Sequence, residues 1–180
     1  MLSYHFVSLL GNFLILHFKT KFKYALTYYL KISIIIKFVY GEKWLINTRD
    51  IKHLKEYRKK AYEAFIRDFK QNSRAEYVTT EYPKSHFKDK QFNIALVSHF
   101  LFMYDKDLNY KFHKKVIEEL VRITSKEIRV FPIVNLKCEK SLFVDKLIED
   151  GCFSKYEIKT VKVNYEFVKG GNEMLVIRVQ

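Results

Sequence analysis

The chain has 180 residues, 48% of them hydrophobic and 29% charged, which suffices for one domain with a sizeable core and excludes a disordered chain. Its formal net charge of +13 raises a polyanion partner, such as nucleic acid or an acidic membrane surface. Arg stands at only seven positions, however, and the Lys, Ile, Phe, Tyr and Asn richness reads as the coding bias of an A+T-rich genome, so nucleic acid is not expected as a partner.

Residues 1–40 carry five lysines and no Asp or Glu. Their first apolar stretch, Phe6 to Phe18, is interrupted by Ser8, Asn12 and His17, and so falls short of the roughly 18–20 apolar residues of a spanning helix. A second stretch, Tyr24 to Tyr40, is broken by Lys31 and Lys37. There is no basic start with a small-residue cleavage site, so a secretory signal does not fit. Three readings stay open for this segment: membrane contact, a β-rich piece of the domain, or sequence foreign to the fold.

Residues 50–71 have helical spacing, with Leu54, Tyr57, Ala61, Ala64, Phe65 and Phe69 on one face and a solvated charged face opposite. Beyond Asn72 short strands alternate with helices. Tyr77–Thr80 is a strand candidate that stops before Pro83. Ile94-Ala95-Leu96-Val97 is an apolar run typical of a strand covered on both faces. Residues 111–124 are helical, with Phe112, Val116, Ile117, Leu120 and Ile123 as the buried stripe; Asp107 or Asn109 caps the start. Residues 128–134 read as a second two-sided strand. Ser141 caps a short helix that Gly151 ends. The alternating strand 156–167, then Gly170-Gly171-Asn172, then 174–179 read as a β-hairpin. The predicted architecture is α/β: a mostly parallel sheet with right-handed crossovers that ends in an antiparallel hairpin.

Five glycines cannot build a GxGxxG or GxxxxGK[ST] loop at their positions. Cys138 and Cys152 form no CxxC and read as free buried thiols of a reducing cytoplasm. No metal is expected. His86, His99 and His113 lie 13 and 14 residues apart, which matches no ligand spacing, and they read as surface or capping histidines. Asp105-Lys106-Asp107-Leu108-Asn109 mimics half of a calcium loop, but Tyr110 and Val116 replace the required Gly and Glu.

The run from Phe92 through Val97-Ser98-His99 to Phe102 resembles the fourth strand of a SAM-dependent methyltransferase and the loop after it. Tyr77-Val78 resembles the third strand, and Tyr82-Pro83 through Asp89 the loop ahead of strand four. Ile128-Arg129-Val130-Phe131-Pro132 resembles strand five. Tyr165-Glu166-Phe167 with Gly170-Gly171-Asn172 resembles the terminal hairpin of a bacterial subfamily, in which the 50–71 helix is an insertion between strands two and three. The resemblance covers roughly residues 38–180. It implies a Rossmann-like three-layer sandwich over 41–180, S-adenosylmethionine as cofactor, and a methyl acceptor whose identity is open.

In that family the cofactor is gripped by a glycine loop after strand one and an acid at the end of strand two. Residues 1–40 hold one glycine and no carboxylate, so the expectation is a truncated member that binds SAM weakly or not at all. The resemblance implies Thr80, Glu81, Ser98 and His99 on the cofactor side, His99 as a candidate catalytic base, and Phe102, Tyr104, Tyr165 and Phe167 on the acceptor side. The plainer readings are that Ser98 and His99 satisfy loop backbone and that Tyr165 and Phe167 pack the core. The rival functions are a non-enzymatic protein attached to a membrane through residues 1–40, and a basic nucleic-acid binder.

Overall fold

The structure, a computed structural model, describes residues 4–10, 13–18, 77–166 and 170–180, with helical positions between 56 and 71; side chains are described from residue 80 on and at those helical positions. Strands β1 (Tyr4–Leu10), β2 (Phe13–Phe18), β3 (Tyr77–Glu81), β4 (Phe92–Ser98), β5 (Thr124–Phe131), β6 (Glu157–Lys162) and β7 (Glu173–Arg178) form one sheet in the order β3-β1-β2-β4-β5-β7-β6. β2, β4 and β5 are mutually parallel neighbours; β1 runs antiparallel to both its neighbours, and so does β7. The fold is therefore mixed α/β. Helices α1 (Tyr110–Ile123) and α2 (Leu142–Ile148) connect β4 to β5 and β5 to β6. The terminal hairpin pairs Lys162 with Glu173, and the Val163 N–H extends the ladder to the Asn172 carbonyl at 2.9 Å.

α1 begins where Asn109 accepts from the Phe112 N–H at 3.0 Å, the capping bond expected of a short polar side chain at that place. Val116, Ile117, Leu120 and Ile123 fall on one face and are fully buried. Burial of each stabilises by about 1.5–3 kcal/mol at most. They meet Ala95 and Val97 of β4, Ile128 and Val130 of β5, and Leu175 and Ile177 of β7 in one core, to which α2 adds Val144 and Leu147. These strand residues lie opposite one another in register, Ala95 with Ile128 with Ile177 and Val97 with Val130 with Leu175.

The other sheet face differs along its length. On β4, Ile94 and Leu96 are half-buried. The expected two-sided burial of 128–134 is not found: β5 alternates, with Glu127 and Arg129 turned away from the core. Arg178 lies opposite both Glu127 and Glu157, and ion pairs run Arg129–Glu127–Arg178–Glu157–Lys159 across three strands. A one-sided strand among charged partners is what an antiparallel neighbour with a solvated face permits. β5 also starts earlier than expected, at Thr124 directly after α1, and ends at Phe131 because Pro132 has no N–H for the ladder.

Two further expectations are corrected. Gly151 does not terminate α2 in a left-handed conformation; it opens a 3-10 turn, Gly151–Phe153, capped by Asp150, which accepts from the Cys152 N–H at 3.0 Å. Ala64 of the 56–71 helical stretch is exposed, whereas Glu56, Lys59, Lys60, Glu63 and Arg67 are solvated as expected. Leu54, Tyr57, Ala61, Phe65 and Phe69 lie outside the described residues. Among the described residues, no helix is long and apolar enough to cross a membrane.

The loop from Tyr82 to Gln91 is fastened to α1 by one carboxylate. Glu119, with its side chain 8% exposed, accepts from the Ser85 N–H at 2.8 Å, from the Ser85 hydroxyl, and from Arg122 through Nε at 2.8 Å and Nη2 at 2.7 Å. Burial alone would raise the Glu119 carboxyl. The bonds from Arg122 and Ser85 outweigh it and hold the group below its ordinary value.

Candidate functional site

β3, β4, β5 and β6 all run in the same sense, so their carboxyl ends share one edge of the sheet. That edge is where open α/β sheets present ligands, because the loops there are free of ladder duty. Ser98 ends β4, and its hydroxyl is 2.8 Å from His99 Nδ1. The His99 N–H donates to the Phe131 carbonyl at 2.9 Å, which carries the parallel ladder one step past the strand. His99 has φ of +51°, a left-handed conformation uncommon for a residue with a side chain. Such a turn re-aims the chain sharply at the strand end and is enriched at functional loops.

An aromatic row follows the same edge. The His99 ring stands edge-on to Phe131 with centroids 6.3 Å apart, and Phe131 meets Tyr165 at 5.9 Å. Tyr165 follows β6 and is 52% exposed. The row thus runs from the centre of the sheet to solvent across the ends of β4, β5 and β6.

The loops after β4 and β5 are tied together above this edge. Asn135 donates to Asp105 at 3.3 Å while its own side-chain oxygen accepts from the Lys137 N–H at 2.9 Å and the Glu139 N–H at 3.2 Å. Met103 and Val134 are buried here with Tyr104, Leu136 and Cys138 packed against them. Asn135 did not stand out in the sequence. An Asn three residues after a proline-ended strand is a turn signal, and only the fold shows which loop it meets.

The sequence-derived residues do not form one cluster. Ser98, His99 and Tyr165 lie along the edge just described. Thr80 is buried and Glu81 exposed at the end of β3. Two strands separate β3 from β4, so these residues stand about 14 Å from Ser98, three inter-strand spacings. Phe102 is fully buried, its ring 5.7 Å from His113, and so lines the core beneath the rim. Tyr104 is half-buried in the small cluster above the rim. Phe167 lies outside the described residues. Among the described residues, no group of three or more His, Cys, Asp or Glu side chains is placed to hold a metal.

Two polar groups differ from their sequence reading. His113, expected at the surface or as a cap, is fully buried. Cys152, expected to be buried, is exposed, with Lys114 Nζ 2.9 Å from its sulfur. Lys114 also reaches Asp150 at 2.9 Å, and the Tyr110 hydroxyl donates to the same carboxylate at 2.7 Å. Lys114, the Cys152 N–H and Tyr110 together hold Asp150 well below the ordinary carboxylate range. This cluster joins α1 to the turn after α2.

An uncharacterized protein of Methanocaldococcus jannaschii is 49% identical to this chain over 130 residues, which are 72% of the chain and 56% of that protein. The chain thus spans little more than half the length of this relative. No family model and no solved structure matches.

Proposed function

We propose that the chain is a SAM-dependent methyltransferase-like domain that retains the acceptor side of the site and lacks the usual grip on the cofactor. The observation that carries this reading is the sheet order. The doubly wound order 3-2-1-4-5-6 has two strands between its third and fourth, the fifth beside the fourth, and the sixth at the far edge. The strands that resemble three, four and five of the methyltransferase sheet are β3, β4 and β5. Two strands, β1 and β2, separate β3 from β4, and β6 is the far edge. β7 enters antiparallel between β5 and β6, as the resemblance to a terminal hairpin implies. β2 runs parallel to β4, as a first strand would, and β1 runs opposite to a second strand.

The remaining fold detail follows from the same reading. Two successive crossovers in one direction put α1 and α2 on one face. The helical stretch at 56–71 is then the third layer, over the half-buried Ile94 and Leu96 of the other face.

The chemistry asked of the protein is modest. Methyl transfer needs in-line positioning of the acceptor and, for a protonated acceptor, a base. In this reading Ser98 orients His99 through Nδ1, and the row ending in exposed Tyr165 forms the acceptor wall. Thr80 and Glu81 belong to the cofactor side. SAM supplies the electrophilic methyl group.

NMR titration of the full chain with SAM tests the place of binding. Amide shifts should change at Thr80–Glu81 and Ser98–His99, and stay constant at Glu119 and Arg178 on other surfaces. Shifts that appear but stay confined to surface lysines would overturn the reading.

A further inference from the structure

We propose that His113 is an acid-sensitive latch that holds the loop after β4 closed on α1 and α2 while its ring is neutral. The ring is fully buried in the first turn of α1, between Phe102 at 5.7 Å and Phe143 at 4.9 Å. It thereby joins three pieces of chain: the post-β4 segment, α1 and α2. Nδ1 donates to the Asn109 carbonyl at 3.0 Å, which fixes the neutral tautomer with a bare Nε2. Among the described residues Nε2 has no hydrogen-bond partner.

Three groups around the ring favour a second proton, and burial opposes it. From the post-β4 segment, the Asp105 carboxylate and the Leu101 carbonyl favour it, as does the Asn109 carbonyl at the start of α1. Burial opposes it and dominates, so the ring is held below its ordinary value. Elsewhere the nearby charges are engaged: Lys114 of α1 pairs with Asp150, Asp145 of α2 pairs with Lys140, and Lys146 of α2 lies 4.3 Å over the Tyr110 ring. A protonated ring in this apolar pocket favours any state in which the pocket opens to water. The post-β4 segment, 99–109, is packed on the ring through Phe102, and its short 3-10 turn Phe102–Tyr104 has no side-chain cap, so a charge on the ring acts on this segment directly. That segment carries His99, Tyr104 and Asp105, so opening it also releases the bond to Asn135 and loosens the rim. This inference stands apart from the methyltransferase reading.

Hydrogen exchange of the full chain, corrected for the intrinsic effect of pH and read beside the His113 ring carbon by NMR, tests it. Protection of amides 101–109 should fall as pH drops below the ordinary imidazole range, by up to about tenfold per pH unit for one proton. β5 and β7 should stay protected, and His113→Phe should abolish the dependence. If His113→Phe does not fold, the wild-type chain decides: one shared midpoint for ring and loop supports the latch. Loop protection that ignores the ring's titration, or a pH dependence that survives His113→Phe, overturns it.

Discussion

Glu119 fastens the β3–β4 loop to α1 through one carboxylate. It satisfies a backbone N–H and a hydroxyl of the β3–β4 loop, and it forms a two-pronged pair with Arg122, which also donates to the Phe87 carbonyl at 2.8 Å. Removing one partner of such a buried pair leaves the rest unsatisfied. Arg122 is partly exposed, which discounts the upper figures. Glu119→Ala should therefore destabilise by about 2–4 kcal/mol in denaturant titration. The pH sign is fixed by the lowered carboxyl: its contribution is full above the unfolded value near 4.5 and is lost as pH falls through the folded value. Wild type should lose stability there more steeply than Glu119→Gln. His113 adds an earlier loss. Its depressed ring contributes fully above its unfolded value of 6.5 and less below it, until the folded value is reached. At the same scale, Asn109→Ala should cost about 1 kcal/mol through the lost cap, measured in the same way.

At the scale of elements, local rules were legible and tertiary ones were not. The Asn109 cap, the stripe of α1, the end of β3 before Pro83 and the antiparallel pairing of the terminal hairpin followed from residue spacing and turn chemistry, but the first strand of that hairpin ends at Lys162, short of the expected Phe167. The one-sidedness of β5 did not. Its hydrophobic alternation is weak, and its neighbour is set by where the hairpin docks. The burial of His113 was not legible either, because its spacing from His86 and His99 bears only on metal binding, and the rings packed on it, Phe102 and Phe143, come from other elements. The ion ladder of the outer face is correspondingly shallow in energy. Arg178→Ala should cost about 1 kcal/mol or less, and less again in high salt. Leu120→Ala on the opposite face should cost about 2–5 kcal/mol, since the fully buried site cannot collapse freely. Urea denaturation of the two variants at two salt concentrations separates the faces.

At the scale of the whole molecule, the sheet keeps a carboxyl edge with a re-aimed His99, an aromatic row and a tied pair of loops. The sequence offers no glycine loop and no acid within residues 1–40 for the opposite half of the site. A missing charge-assisted hydrogen bond costs about 1.5–3 kcal/mol, so two lost anchors and a lost turn weaken binding by about 4 kcal/mol, about a thousandfold. Calorimetric titration of SAM into the concentrated full chain measures this directly. A dissociation constant of about 1 mM is the expected result. Weaker or undetectable binding agrees with the missing grip, and a low micromolar constant would contradict it.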